Sequence, residues 1–204
     1  IRALETLERA VEASGWRTPK PRPYVGRGMA ISDLPPGTGQ STARITIDGE
    51  GKATLMMSLW DTGTGAHTIF RQLVAEILTI PVERVEYLTQ NTDAIPFDSG
   101  SGGSRVTYTA GQAVMGAAND LKDKLTGRAA ALYSCPADKI QLQNGRFVLP
   151  GALVESVDVQ EVAAQVLAAD EELIMGEFTY ASKPSEITSF CVQIAEVEVD
   201  PETG

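Results

Sequence analysis

The sequence predicts an α+β fold, a two-layer arrangement of helices on a mainly antiparallel sheet. Three observations predict it. Strand-like runs are joined by tight hairpin signals. Helical apolar stripes interrupt them without a regular strand–helix–strand rhythm. The 204 residues are 43% apolar, enough to close a core without disulfides or metal staples.

Taken in order, Arg2 to Ser14 carries Leu4, Leu7, Ala10 and Val11 at helical spacing, and Gly15 stops it. Arg17 to Pro23 reads as a stiff linker, and Tyr24 to Ser32 as extended chain. Ser41 to Trp60 is a hairpin signal around Asp48–Gly51. Gly63 and Gly65 then punctuate the chain before a helix from Ala66 to Thr79, whose stripe is Ile69, Phe70, Leu73, Val74, Ile77 and Leu78. Pro81 ends it, and residues 82–89 alternate as a strand. A long helix is expected from Ser104 to Tyr133. Its first half carries Gly111, Ala113, Gly116 and Ala117, which permit close approach of another backbone. Lys139 to Leu149 is a second hairpin, turning at Asn144-Gly145. A short helix over 157–169 and strands over 174–180 and 189–200 complete the pattern. The expected organisation is an N-terminal helix and linker over 1–23, a central α+β domain over 24–150, and a C-terminal helix and strands over 151–204. Both ends read as cut: the chain opens inside a helical pattern without Met and closes on a strand with no returning partner.

Net charge is −10, from 27 acidic and 17 basic residues. That argues against nucleic acid or an anionic membrane as the main partner, and no apolar run is long enough to span a bilayer. Cys135 and Cys191 are far apart with no metal-ligand spacing, and read as two small, buried, unpaired thiols. No metal-ligating set is expected.

Two glycine loops carry the functional signal. "DTGTGAHT" (Asp61 to Thr68) and "DSGSGGSR" (Asp98 to Arg105) both run into helices. The first amides of a helix lack intrahelical acceptors, and the helix dipole adds partial positive charge there. Glycines let such amides converge into an anion nest. The other reading is an N-cap at Ser104 with glycines filling a turn. Composition alone leaves the two readings level. Neither loop satisfies the GxxxxGK[ST] or GxGxxG pattern of common nucleotide sites.

The run "DTGTGAHTIFRQLVAEILTIPVERVEYLTQNTDAIPFDSGSGGSRVTYTAGQAVMGAA", with "VGRGMAI" before it and "AEVEVDPETG" after it, resembles the molybdenum-binding subunit of the xanthine dehydrogenase / aldehyde oxidase family, the molybdenum hydroxylases. The resemblance implies the molybdopterin-binding domain of that family, as an internal piece of its large subunit. It implies a molybdopterin cofactor with molybdenum, in bacteria often the cytosine dinucleotide. It also implies hydroxylation of an aldehyde or N-heterocycle carbon of a small-molecule substrate, with oxygen from water. [2Fe–2S] clusters and FAD on partner subunits or domains would carry the electrons away. The full enzyme is then expected to be oligomeric, in the cytoplasm, with the periplasm as the alternative compartment.

Position by position, the resemblance assigns Gly63, Thr64 and Gly65, and Gly103, Ser104, Arg105, Thr107 and Gln112, to cofactor binding. Thr64 departs from the family, since many members carry Gln there. The family's catalytic glutamate sits in a Gly-x-Gly-Glu motif that is absent here, so no catalytic residue is assigned. Asp93, Asp98 and Glu83 read as solvated or turn carboxylates. His67 reads as a cofactor-side or structural hydrogen-bonding group rather than a general base, and Trp16 and Trp60 as packing residues. Two alternatives stand beside this reading: a non-catalytic module whose loops are only helix caps, and a different enzyme of a phosphorylated ligand.

Overall fold

The computed structural model describes residues 2–20, 22–89, 93–170, 173–184 and 188–204. Residues 90–92 of the predicted 82–89 strand's exit, and the segments around 171 and 186, lie outside them. The elements run α1 (Ala3–Ala13), β1 (Val25–Leu34), β2 (Gly39–Ile47), β3 (Ala53–Met56), α2 (Ala66–Leu78), β4 (Val85–Leu88), α3 (Gly111–Tyr133), β5 (Gln141–Gln143), β6 (Arg146–Val148), β7 (Ser156–Asp158), α4 (Val159–Asp170), β8 (Ile174–Ser182) and β9 (Ser189–Glu198). They fall into two compact units, residues 37–183 and residues 1–36 with 184–204. This division falls at other points than Pro23 and Pro150. The chain ends come together through a strand pairing that no local pattern announces.

In the larger unit the described strands form a sheet in the order β4-β3-β2-β8. β2 pairs antiparallel with β3 on one side and with β8 on the other. β3 and β4 are parallel, and α2 makes the crossover between them. This one strand–helix–strand unit sits inside an otherwise antiparallel pattern. Alternation aims the strands: Ala43, Ile45 and Ile47 of β2 and Ala53 and Leu55 of β3 are buried on the helix side. Phe70, Val74 and Leu78 of α2 and Ala113, Ala117, Leu121 and Leu125 of α3 close the core against them. β5, β6 and β7 form a second small antiparallel sheet, whose Phe147 and Val157 join the same core with Val162 of α4. The turn between β5 and β6 has positive φ at both Asn144 (49°) and Gly145 (70°), the type I′ geometry that Asn-Gly favours.

The close approach expected from the small residues of α3 is made by β8. A Cβ on Gly176 would lie 2.2 Å from the Ala117 carbonyl oxygen, and one on Gly116 would lie 2.2 Å from the Phe178 ring. Asp120 on α3 ties the pair further, accepting from the Glu177 amide at 2.9 Å and the Lys124 ammonium at 2.7 Å.

In the smaller unit β1 and β9 form an antiparallel ribbon from Val25–Glu198 to Leu34–Ser189, and α1 lies against β9. The closing strand thus finds its partner near the start of the chain. Along β9, Phe190, Val192 and Ile194 are half-buried while Cys191 points outward. Cys191 is therefore exposed, contrary to the expectation of two buried thiols. A two-stranded ribbon has too little cover to bury both faces. Cys135 is buried as expected, and both thiols are free. The 82–89 strand is shorter than its alternation suggests: Val82–Arg84 forms a 3-10 turn after Pro81 and pairing starts at Val85.

Candidate functional site

The first loop links the buried Leu59 to α2. Alternation carries Met57 and Leu59 into the core and leaves Trp60 outside, 66% exposed. The packing role expected of Trp60 is therefore not found. Gly63 and Gly65 adopt left-handed φ values of 97° and 75°, which turns successive amides toward one point. That point is occupied by the chain itself. Asp61 Oδ1 accepts from the amides of Gly63 (2.9 Å), Thr64 (2.8 Å) and Gly65 (3.1 Å). Partial desolvation pushes this carboxyl up, but backbone hydrogen bonds from Gly63, Gly65, His67 and Thr64 together hold it below the usual carboxylate range. The amides of Gly63, Thr64 and Gly65 are internally satisfied, and the side chains of Thr62 and Thr64 are exposed.

His67 follows in the first turn of α2. Its Nε2 lies 3.0 Å from the Leu59 carbonyl, so Nε2 carries the proton. The ring stacks on Tyr87 at 3.8 Å. Tyr87 donates to the same carbonyl at 2.7 Å. Burial, then the negative charges of Asp98 and Asp61, push its phenol well above the usual range and keep it protonated. His67 is thus bound into the wall of the domain.

The second loop is built in the opposite way. Asp98 Oδ1 accepts from the Gly100 amide at 2.6 Å and from Arg105 at 3.1 Å. Arg105 is 3% exposed and the Asp98 side chain 1%. The same guanidinium donates to the carbonyls of Gly100 and Gln40 and to Ser41 Oγ. Asp98, expected as a solvated or turn carboxylate, is a turn carboxylate but a buried one. Its buried charge is compensated by the Arg105 guanidinium beside it. Arg105 in turn spends its two terminal nitrogens inside the chain, while its buried Nε has no partner among the described residues. The loop is pressed onto the start of β2: Ser99 and Gln40 exchange hydrogen bonds, and the Gly37 amide donates to Gly103 O at 2.6 Å. A Cβ on Gly37 would stand 2.4 Å from Gly102 O.

Ser104 has φ of 61°, whereas an N-cap needs extended backbone, so the cap reading of Ser104 does not hold. The helix begins instead with a π-type turn, Val106–Ala110, that passes into α3. Among the described residues none accepts from the amides of Gly102, Gly103 or Ser104.

The two loops meet. Thr64, Ala66 and Ile69 face Ser101, Gly102, Gly103, Ser104 and Thr107 across an open cleft of about 410 Å³. Of the predicted site residues the structure brings Thr64, Gly103, Ser104 and Thr107 to this cleft. Gly63 and Gly65 stand at its exposed margin without lining it. Gln112 is exposed on the first turn of α3, and Arg105 lies buried behind the loop. A larger cavity of about 670 Å³ opens between α2 and the β5–β6 hairpin. Glu76 is the only ionisable group among its described lining residues, so nothing there pairs titratable groups. The cleft, with unpaired amides and four hydroxyl side chains, is the better site for a polar anionic ligand. No group of His, Cys, Asp and Glu able to hold a metal ion occurs among the described residues.

Sequence reasoning missed the parts played by Asp61, Gly37 and Ser41, and the burial of Asp98 against Arg105. A signal for the two aspartates was present. Each loop opens Asp-x-Gly, and in each the aspartate accepts from the glycine amide two residues on.

The fold and the sequence have known counterparts. The chain is 36% identical over 116 residues (56% of this chain, 15% of the relative) to the putative xanthine dehydrogenase molybdenum-binding subunit XdhA of Escherichia coli K12. It is 27% identical over 98% of its length to the aldehyde oxidoreductase molybdenum-binding subunit PaoC of the same organism, of which it covers 27%. Among solved structures, CO dehydrogenase from Oligotropha carboxidovorans superposes with a TM-score of 0.64 at 21% identity, over 95% of this chain and 28% of that one. The chain thus spans between 15% and 28% of the length of these relatives. No described helix is long and apolar enough to cross a membrane. The model of the molybdopterin cofactor-binding domain matches residues 6–204, and the chain belongs to that family.

Proposed function

We propose that the cleft between the two loops seats the phosphorylated, hydrogen-bond-rich part of a molybdopterin cofactor, in its cytosine dinucleotide form. The carrying observation is that one cleft is lined by Gly102, Gly103 and Ser104, whose amides have no acceptor among the described residues, together with the hydroxyl residues Thr64, Ser101 and Thr107. Amides at a helix start receive anionic oxygens without any basic side chain, which suits a chain of net charge −10. Ser101, Ser104 and Thr107 add donors and acceptors at the same wall. Arg105 and Asp98 hold the loop in shape from behind, and Gly37 lets it seat on β2.

The whole protein is then a molybdenum hydroxylase acting on an aldehyde or N-heterocycle, as the names of its relatives suggest. When bound, the cofactor supplies the redox chemistry, with oxygen from water. Electrons pass to [2Fe–2S] and flavin groups on partner subunits or domains. The residues of this chain bind and orient, and the proton-transfer glutamate belongs to another segment.

The test is cofactor content in the full-length enzyme. Gly103 has φ of 53° and Ser104 of 61°, so Gly103→Val and Ser104→Pro both break the loop's backbone. Each is expected to strip most of the molybdenum from purified enzyme. Wild-type content in both variants would refute the assignment.

A further inference from the structure

The two Asp-x-Gly openings diverge in one respect. Asp98 shares its charge with Arg105. Asp61 makes no ion pair among the described residues and instead gathers three amides on one oxygen, with the Thr64 hydroxyl 3.4 Å away. Packing gives the loop's two glycines little support: no atom lies within 4 Å of the position a Cβ would take on Gly63 or on Gly65. Two glycines with left-handed φ and no neighbours are costly to order, so the carboxylate is the tether that sets the loop's shape.

We propose that Asp61 is a positioning residue. Its carboxylate is the resident anion of the α2 N-terminal nest. It holds Thr64 at the wall of the cleft and closes this corner to anionic groups of a ligand, which are received at Gly102–Ser104 instead. The proposal rests on the reading of the cleft as the cofactor cradle. A carboxylate oxygen under three converging N–H groups fills the place a phosphate oxygen would take at a helix start. A second anion brought there would find the donors used and a like charge in contact. The two glycine loops, alike in sequence, are therefore unlike in use: one offers bare amides, the other a side chain held in place.

The test uses the full-length enzyme and four variants: Asp61→Ala, Asp61→Asn, Thr64→Val, and Asp61→Ala with Thr64→Val. Molybdenum per subunit and the unfolding midpoint of the cofactor-free form are measured. Asp61→Ala should lower molybdenum content roughly fivefold, the equivalent of losing a helix cap. Asp61→Asn keeps a neutral acceptor in the same place and should retain more. If Asp61 acts through Thr64, adding Asp61→Ala to Thr64→Val should change the content by less than about twofold. Should Asp61→Ala not fold, Asp61→Asn takes its place in the cycle. Wild-type molybdenum in the Asp61 variants, or losses that simply add across the cycle, would overturn the proposal. Gly103→Val, prepared alongside, separates the two readings. If it also keeps its molybdenum, the cradle itself is refuted. If it alone loses molybdenum, only the role of Asp61 falls.

Discussion

Arg105 is the residue whose position changes the account most. The family resemblance makes it a cofactor ligand, yet its guanidinium reaches Asp98, Gln40, Ser41 and Gly100. Removing one partner of a buried, hydrogen-bonded ion pair leaves an uncompensated charge. Asp98→Ala should therefore destabilise the domain by about 3–5 kcal/mol, read as a shift in chemical unfolding. Arg105→Lys keeps the charge and loses the planar fork that serves several acceptors at once, so it should be destabilising too. A neutral result for both would mean that the network does not hold the loop. Much of this residue-scale detail was hidden in the sequence for a physical reason. "GSR" shows a serine and an arginine beside glycines, but not whether the guanidinium turns outward to a ligand or inward to Asp98. That choice depends on β2, which lies far away in the chain. Thr64 and Ser104 were assigned by the resemblance, and their place on the cleft wall depends on no such distant strand.

At the scale of elements, the layering of α3 on β8 sets the depth of the domain. Gly176 allows the strand to touch the helix backbone at Ala117 and Leu121. Gly176→Ala would put a methyl inside contact distance of main-chain atoms that cannot move aside as a side chain could. The expected cost is about 1–3 kcal/mol, as for other overpacked sites, measurable by denaturant unfolding. A cost near zero would show that β8 shifts freely. Helix stripes such as Phe70-Val74-Leu78 and the Asn144-Gly145 turn were legible because they are local patterns. The parallel β3–β4 pair and the β2–β8 pairing were not. Alternation marks a strand but does not name its neighbour, and pairing partners distant in sequence are chosen by the core they jointly cover. The short β7 was passed over because three residues carry too little periodicity to stand out.

For the whole molecule, charge is the governing quantity. The chain carries a large negative excess, and among the described residues three carboxyls, those of Asp61, Asp120 and Asp200, are held below their usual range, each by hydrogen bonds that outweigh any desolvation. A carboxyl depressed in the folded state adds stability that is fully present above the unfolded value of about 3.9 and is lost as pH falls through the folded value. Thermal stability should therefore be insensitive to these groups at neutral pH and decline below about pH 4. In a combined Asp61→Asn, Asp120→Asn variant that acid limb should be shallower, and an unchanged limb would show that these carboxylates contribute nothing to it.

The division of labour between the two loops, amides at one and a positioned side chain at the other, is the centre of the account. The most direct measurement is a crystal structure of the full-length, cofactor-loaded enzyme. The account predicts anionic or carbonyl oxygens of the cofactor within about 2.7–3.2 Å of the amides of Gly102, Gly103 or Ser104, with Asp61 still holding the amides of Gly63, Thr64 and Gly65. A cofactor seated away from the second loop, or a phosphate in the place of the Asp61 carboxylate, would contradict it.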